Sequence, residues 1–193
     1  LHPLGGRPML GRVLAAVAAL APQETVVVVG YGAEEIRATI GDGVRYALQG
    51  EQLGTGHALA VAVEALAGHE GDLLVLYGDM PLLRQETLGA LVDHHRKTRA
   101  DATLVTTEHG PESRFGRIIR DPEGRFLRIV EYKDATPTER AIREVNAGVY
   151  CFRLGPLRAT LPRLGRNNAQ GEYYLTDLFP LIAAAGRVEA VSL

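Results

Sequence analysis

Five short segments of this chain carry side chains suited to a charged, hydroxyl-rich small molecule. The first is Tyr77-Gly78-Asp79-Met80-Pro81, directly after the apolar run Leu73-Leu74-Val75-Leu76. A short, continuous apolar run reads as a strand buried on both faces of a parallel sheet. Gly78 permits a sharp turn and Pro81 blocks an easy continuation of the strand. Asp79 is therefore expected at the carboxyl end of a central strand, the edge at which open α/β sheets bind ligands. A hard carboxylate oxygen there suits Mg²⁺ bridging substrate phosphates. The plain alternative is that Asp79 caps the next helix.

The other four segments each admit two readings. In Gln49-Gly50-Glu51-Gln52-Leu53-Gly54-Thr55-Gly56-His57-Ala58, Gly54 and Gly56 let a flat ligand or a phosphate approach the backbone. Gln49 offers a donor and an acceptor for the edge of a base; the alternative is a glycine-rich connection with no ligand. Glu131, in Glu131-Tyr132-Lys133-Asp134 after a hairpin that begins near Gly116, can accept paired sugar hydroxyls, or it marks a solvated corner. Asn146, in Asn146-Ala147-Gly148, opens an apolar strand and needs a partner, either a ligand hydroxyl or a neighbouring backbone group. Residues 167–177 (Asn-Asn-Ala-Gln-Gly-Glu-Tyr-Tyr-Leu-Thr-Asp) are dense in hydrogen-bonding groups ahead of a helix, and equally describe a capped loop. The histidines give no metal pattern: His94 and His95 are adjacent and face different directions on a helix. His57 sits where it can support the glycine loop. No Ser-His-Asp arrangement and no zinc spacing is present.

Alternating elements must position these groups. Residues 8–20 read as a helix with Pro8 in its first turn, 25–30 as a strand, 33–40 as a helix ending at Gly41 and 44–48 as a strand. Residues 55–67 form a helix capped by Thr55, 73–77 a strand, 84–97 an amphipathic helix and 102–107 a strand. This order implies right-handed βαβ units around a parallel sheet. Residues 116–120 and 125–132 then flank Asp121-Pro122-Glu123-Gly124, a hairpin turn that brings in antiparallel structure. A polar loop (133–140), a strand (145–152), a short helix (157–161) and a longer helix (172–185) follow.

Composition sets the outer bounds. With 193 residues, 46% hydrophobic and 23% charged, the chain can bury one substantial core. A net charge of −2 with no basic block argues against nucleic acid as a partner. The single cysteine, Cys151, excludes an internal disulfide, fits a reducing cytosol and reads as core packing. No apolar run spans a membrane. The chain opens Leu1-His2-Pro3-Leu4 as if mid-element and closes Ala190-Val191-Ser192-Leu193 as if a strand were cut, which reads as a fragment.

Taken in order, the segments resemble the uridyltransferase domain of the bacterial bifunctional N-acetylglucosamine-1-phosphate uridyltransferase/glucosamine-1-phosphate acetyltransferase family. The resemblance rests on Gln49 with Glu51 through Ala58, on Leu76-Tyr77-Gly78-Asp79-Met80-Pro81-Leu82, and on Gly116-Arg117-Ile118. It continues through Ile129-Val130-Glu131-Tyr132-Lys133-Asp134-Ala135, Glu144-Val145-Asn146-Ala147-Gly148 and residues 167–177. It implies a Rossmann-like, glycosyltransferase-A-like three-layer α/β sandwich, mostly parallel, with an antiparallel hairpin insertion. The implied reaction joins UTP and N-acetylglucosamine 1-phosphate into UDP-N-acetylglucosamine, a cell-wall precursor, and pyrophosphate. By the same resemblance Asp79 holds Mg²⁺. Gln49, Gly54 and Thr55 hold the uracil, and Tyr77 and Gly78 line the nucleotide side. Gly116, Glu131 and Asn146 bind the sugar, with Tyr174 and Thr176 completing its pocket. The expected partners are these nucleotides and sugar phosphates, with no nucleic acid and no membrane, in the cytoplasm.

The resemblance also implies one nucleotidyltransferase domain over 1–193. The family's N-terminal phosphate-binding loop and C-terminal β-helix domain fall outside it. The 193-residue chain is then expected to be an inactive monomer, and its parent a homotrimeric enzyme. Another sugar-1-phosphate nucleotidyltransferase and a non-catalytic sugar-nucleotide-binding domain stay open as alternatives.

Overall fold

The computed structural model of the chain describes residues 2–110 and 112–192. Leu1 and Leu193, read above as parts of interrupted elements, lie outside the described residues. The chain begins with a ribbon of β1 (Pro3–Leu4) and β2 (Arg7–Pro8), then α1 (Met9–Ala18), β3 (Val26–Val29), α2 (Ala33–Ile40) and β4 (Arg45–Leu48). It continues through α3 (Thr55–Ala65), β5 (Asp72–Leu76), α4 (Gln85–Thr98), β6 (Ala102–Glu108), β7 (Arg117–Arg120) and β8 (Phe126–Val130). The last elements are α5 (Pro137–Arg140), β9 (Glu144–Arg153), α6 (Leu154–Thr160), α7 (Leu178–Ala183) and β10 (Val188–Ser192).

Strand β9 organises the molecule. Successive side chains of a strand face opposite sides. Accordingly Tyr150 and Phe152 enter one core while Val149 and Cys151 enter the other. The first core packs Leu59 and Val63 of α3, Leu157 of α6 and Phe179 and Ile182 of α7 against the sheet. The second packs Leu88 and Leu91 of α4, with Val17 of α1, against its other face. The result is three layers, helix on sheet on helix. Cys151 is fully buried in the second layer, and burial pushes its thiol up to about 12. It is a packing residue, as its apolar setting suggests.

The six-stranded sheet has the order β10-β6-β9-β7-β8, with β5 also on β9. Strand β10 is parallel to β6, but β9 is antiparallel to β5, β6 and β7. Four strands therefore share one direction, while most hydrogen-bonded pairings are antiparallel because β9 and β8 run against them. This corrects the reading of 73–77 as a strand inside a parallel sheet. Its partner among the described residues is antiparallel, and Leu73 to Leu76 are half-buried rather than enclosed. A second, two-stranded parallel sheet joins β3 to β4. A cavity of about 1090 Å³ separates it from β5, lined by Val27 and Leu74 from the two strands and by Leu10, Val13 and Leu59 from the helices.

Local details differ from the sequence expectations for identifiable reasons. Gly54, at φ 111°, is the N-cap of α3; Thr55 is the first helical residue, and its hydroxyl accepts the Leu175 N–H (3.1 Å) instead of capping. Pro8 is the N-cap of α1 rather than a first-turn residue. The polar loop 133–140 contains α5, held by a capping box in which Thr136 and Glu139 satisfy each other's backbone N–H. The expected helix over 172–185 shrinks to a 3₁₀ turn at Leu175–Asp177 plus α7, because the Tyr173 carbonyl, which a helix would offer to the Asp177 N–H, accepts the Gly56 N–H instead (2.7 Å).

One buried titratable group sits far from the carboxyl end of β5. His95 of α4 is 1% exposed, with Nδ1 2.8 Å from Thr103 Oγ1 and Nε2 3.6 Å from Asp72 Oδ1. Burial lowers its pKa below 6.5 despite the opposing pull of Asp72 and Asp101, and Arg153 and Arg96 add to the lowering. A histidine held neutral in the fold contributes stability that is full above its unfolded pKa and is lost as pH falls below it. Urea unfolding of the wild type should therefore weaken more between about pH 7.5 and 5.5 than that of His95→Gln, which lacks the titrating group. Equal pH slopes would overturn this account of His95.

Candidate active site

The site lies where two strands share one edge of β9. Strand β5 pairs with β9 up to Leu76↔Val149, and β7 takes over at Arg117↔Val145. Between them β9 bulges: Leu104 and Thr106 of β6, two residues apart, oppose Tyr150 and Asn146, four apart. Gly148 sits in the bulge at φ 76°, where a Cβ would lie 2.9 Å from the Tyr77 ring. The bulge thus brings Asn146 and Gly148 against Tyr77, just after the end of β5.

Asn146 is 8% exposed and its amide is satisfied at both ends. Its Oδ1 accepts the Gly148 N–H (3.0 Å), and its Nδ2 donates to the Tyr150 hydroxyl (2.7 Å). Both partners come from the protein, one of them backbone, as one of the two sequence readings held. The Asn146 N–H also donates to Gly116 O (2.9 Å), which ties the start of β7 to the same spot. The Tyr77 and Tyr150 hydroxyls are 3.5 Å apart with their rings edge to face. Burial raises both phenol pKa values, so both stay neutral.

Glu131 is half-buried, not a solvated corner. Its Oε1 accepts from Thr176 Oγ1 (3.0 Å), and both carboxylate oxygens would lie 3.3 Å from a Cβ at Gly116. Burial raises its pKa first; Thr176 opposes this, and Asp177 and Asp134 raise it further. The neighbouring loops are tied together. Asp134 accepts the Ala169 N–H (2.8 Å), and Lys133 Nζ donates to Gln170 Oε1. The Tyr174 hydroxyl is buried, and burial with Asp134 raises its pKa to about 12 against the opposing effect of the Gln170 side chain.

The glycine loop proves to be packed against protein. A Cβ at Gly54 would lie 2.6 Å from Tyr173 O, and one at Gly56 would lie 2.8 Å from Leu164. One close approach that these glycines allow is made by residues 164 and 173. The Gly56 N–H donates to Tyr173 O (2.7 Å), so the two loops are stitched backbone to backbone. Gln49 Nε2 donates to Gly54 O (3.2 Å) and lies 3.1 Å from His57 Nδ1. Its Oε1 is left as an acceptor. Asp79 is exposed in the turn after β5 and makes no hydrogen bond or ion pair among the described residues; the N-cap of α4 is Arg84. Such a carboxylate fits a hard cation that also binds substrate phosphates. Among the described residues, no cluster of three or more His, Cys, Asp and Glu side chains could hold a metal alone.

The structure thus gathers Tyr77, Gly116, Glu131, Asn146 and Thr176 around the β9 bulge. Gln49, Gly54 and Thr55 lie on the adjoining loop, and Gly78 with Asp79 on the turn after β5. Two supporting residues escaped sequence reasoning. Tyr150 reads as an ordinary core aromatic, and only its fourth-residue spacing from Asn146 hints at its role. Arg117 is 0% exposed and donates to the carbonyls of Ser113, Phe115 and Arg140, fixing the backbone that leads to Gly116. Its guanidinium and that of Arg140 also lie over the Tyr132 ring, at 5.8 and 4.6 Å.

A family model described as a MobA-like NTP transferase domain matches residues 1–187. The chain is 47% identical over 186 residues to the bifunctional protein GlmU of Brevibacillus brevis, covering 96% of this chain and 40% of that protein. It is 45% identical over 190 residues to the bifunctional protein GlmU of Enterococcus faecalis, covering 98% and 42%. The chain therefore spans about two fifths of the length of these curated relatives. Among solved structures, a UDP-glucose pyrophosphorylase complexed with UDP-glucose matches with a TM-score of 0.77 at 18% identity, over 99% of this chain and 80% of that one. A putative glucose-1-phosphate thymidylyltransferase from Bacillus anthracis matches with a TM-score of 0.76 at 16% identity, over 100% and 77%. At these identities the likeness is one of fold, and it agrees with the expected nucleotidyltransferase sandwich. No helix among the described residues is long and apolar enough to cross a membrane.

Two outcomes follow from the geometry. Gly148→Ala forces a side chain onto a left-handed backbone and into the Tyr77 ring, and should cost about 2 kcal/mol in urea unfolding. Gly155→Ala, in α6 with open space around it, should cost nothing. Glu131 carries a raised pKa, so the fold binds its proton more tightly than the unfolded chain does. That contribution favours the fold at low pH and is lost as pH rises through the folded pKa. Glu131→Gln should therefore raise the melting temperature at pH 7.5, with the gain fading towards about pH 4. A lower melting temperature at pH 7.5 would refute this.

Proposed function

The chain belongs to the MobA-like NTP transferase domain family, and we propose that it carries the site forming UDP-N-acetylglucosamine and pyrophosphate from UTP and N-acetylglucosamine 1-phosphate. A sugar phosphate oxygen attacks the α-phosphorus of UTP, the bond to the bridging oxygen breaks, and pyrophosphate leaves. No covalent intermediate on the protein is needed, so catalysis comes from positioning and charge neutralisation.

The residues divide the work by chemistry. Gln49 Oε1 is left as an acceptor and suits the N–H of a uracil; cytosine offers an acceptor there and is disfavoured. Gly54 and Thr55 continue that wall, and Tyr77 with Gly78 lines the nucleotide side. Glu131, Asn146 and the Gly116 backbone suit the hydroxyls and acetamido group of the sugar, with Tyr174 and Thr176 beside them. Asp79 would hold Mg²⁺, which when bound neutralises phosphate charge and eases departure of pyrophosphate. The observation that carries this reading is the half-buried Glu131 beside Thr176, Gly116 and Asn146, with no ion pair to it among the described residues. A carboxylate so placed is suited to paired hydroxyl donors.

Calorimetric titrations of UDP-N-acetylglucosamine, UDP-glucose and dTDP-glucose into the chain with Mg²⁺ test the assignment. UDP-N-acetylglucosamine should bind at least about tenfold more tightly than the other two, and Glu131→Ala should erase the preference. Equal affinity for all three would refute the sugar assignment. A folded chain that binds none of them would refute the reading as a whole.

A further inference from the structure

Tyr150 has no place in the roles given so far. It is 0% exposed and lies behind Asn146, so it touches no ligand. Its hydroxyl oxygen accepts from Asn146 Nδ2 (2.7 Å), which leaves its own proton free to donate. Tyr77 Oη lies 3.5 Å away, and Tyr77 in turn interacts with the Thr55 hydroxyl and the Glu131 carboxylate. At the other end of the same amide, Gly148 presents an N–H, which can only donate. The Gly148 N–H sets the amide orientation, since a donor demands oxygen at that end, and the Tyr150 hydroxyl secures the other end by accepting from the nitrogen. An amide used once on each atom keeps one N–H and one lone pair on Oδ1 for a ligand.

Resting on the sugar reading above, we propose that Tyr150 is a positioning residue for sugar recognition, its hydroxyl holding the Asn146 amide in the one orientation that presents both remaining groups. The ring and the hydroxyl have separable duties. The ring packs with Phe152 and Phe179 at centroid distances of 6.2 and 5.4 Å, and would survive in Tyr150→Phe. Among the described residues, the hydroxyl bonds to Asn146 and lies beside the Tyr77 hydroxyl. Without it, Nδ2 becomes a buried donor with no acceptor, and the amide is held at the Gly148 end alone.

The test measures how much the sugar adds to nucleotide binding. The ratio of affinities for UDP-N-acetylglucosamine and UDP is taken by calorimetry with Mg²⁺ in the wild type, Tyr150→Phe, Asn146→Ala and the double variant. Tyr150→Phe should lower the ratio by about 3- to 10-fold with UDP affinity unchanged. Its effect should largely vanish in the Asn146→Ala background, since it acts through that amide. In ¹⁵N-labelled chain, the Asn146 side-chain amide protons should exchange with solvent faster in Tyr150→Phe than in the wild type. A merely structural role would instead weaken UDP and UDP-N-acetylglucosamine alike, or add in full to Asn146→Ala, and either result overturns the proposal. An unchanged ratio beside a discriminating wild type overturns the role of Tyr150 alone. A wild type with no preference overturns the sugar reading itself.

Discussion

The site exists because two strands divide one edge of β9. Backbone hydrogen bonds commit β9 to β6 along one side, and to β5 and then β7 along the other. A continuous partner on that second side would leave no opening. Because β5 ends at Leu76 and β7 begins at Arg117, a stretch of β9 is released from strand pairing in the middle of the molecule. Asn146, Ala147 and Gly148 occupy it. A bulge needs a residue that tolerates unusual backbone angles, and Gly148 supplies it. The same glycine yields the space that the Tyr77 ring fills. One pairing constraint therefore sets the position of the amide, the phenol and the turn that bears Asp79.

The second feature of the site is electrostatic tension. Burial raises the pKa values of Glu131 and Asp177, nearby Asp134 raises both further, and Asp177 adds to the rise at Glu131. Elsewhere the protein pairs its carboxylates with arginine: Glu144 with Arg120, Asp72 with Arg96, Asp101 with Arg153. No such cation is paired with Glu131 among the described residues. Arg117, fully buried and only one residue from Gly116, donates to backbone carbonyls and lies over the face of Tyr132. A charge kept without a cation raises the free energy of the empty fold, and a ligand bearing hydroxyl donors relieves it. Such a cost is an ordinary mark of a binding site, where stability and function pull in opposite directions.

Much of this was legible in the sequence, for physical reasons that differ from one residue to the next. Asp79 stands out because an apolar run, a glycine and a proline leave few conformations for the carboxylate between them. The order of elements is legible because hydrophobic period and turn residues are local signals. Pairing direction is not local: nothing in Leu73-Leu74-Val75-Leu76 says that its partner comes from residues 149–153 and runs against it. Thr55 illustrates another limit. A threonine before a helical run is a good cap on local grounds, but a distant N–H, that of Leu175, claims its oxygen. The helix expected from residue 172 fails likewise, since the Tyr173 carbonyl is taken by the Gly56 N–H. The capping box at Thr136 and Glu139, by contrast, was written in the sequence as Thr-Pro-Thr-Glu and needed only to be looked for.

The glycines of the 54–56 loop connect the two halves of the site. Their missing side chains admit the backbone of residue 173, so the loop proposed for the base and the loop that carries Tyr174 and Thr176 share hydrogen bonds. Neither loop can shift by an ångström without breaking bonds in the other. Thr55 adds a third tie through Leu175, and its hydroxyl also lies beside Tyr77. On the proposed reading, base and sugar recognition are then not independent modules on a scaffold but two faces of one backbone seam. For the proposed in-line transfer, a separation held by that seam would favour reaction, because the two reactants would meet already positioned.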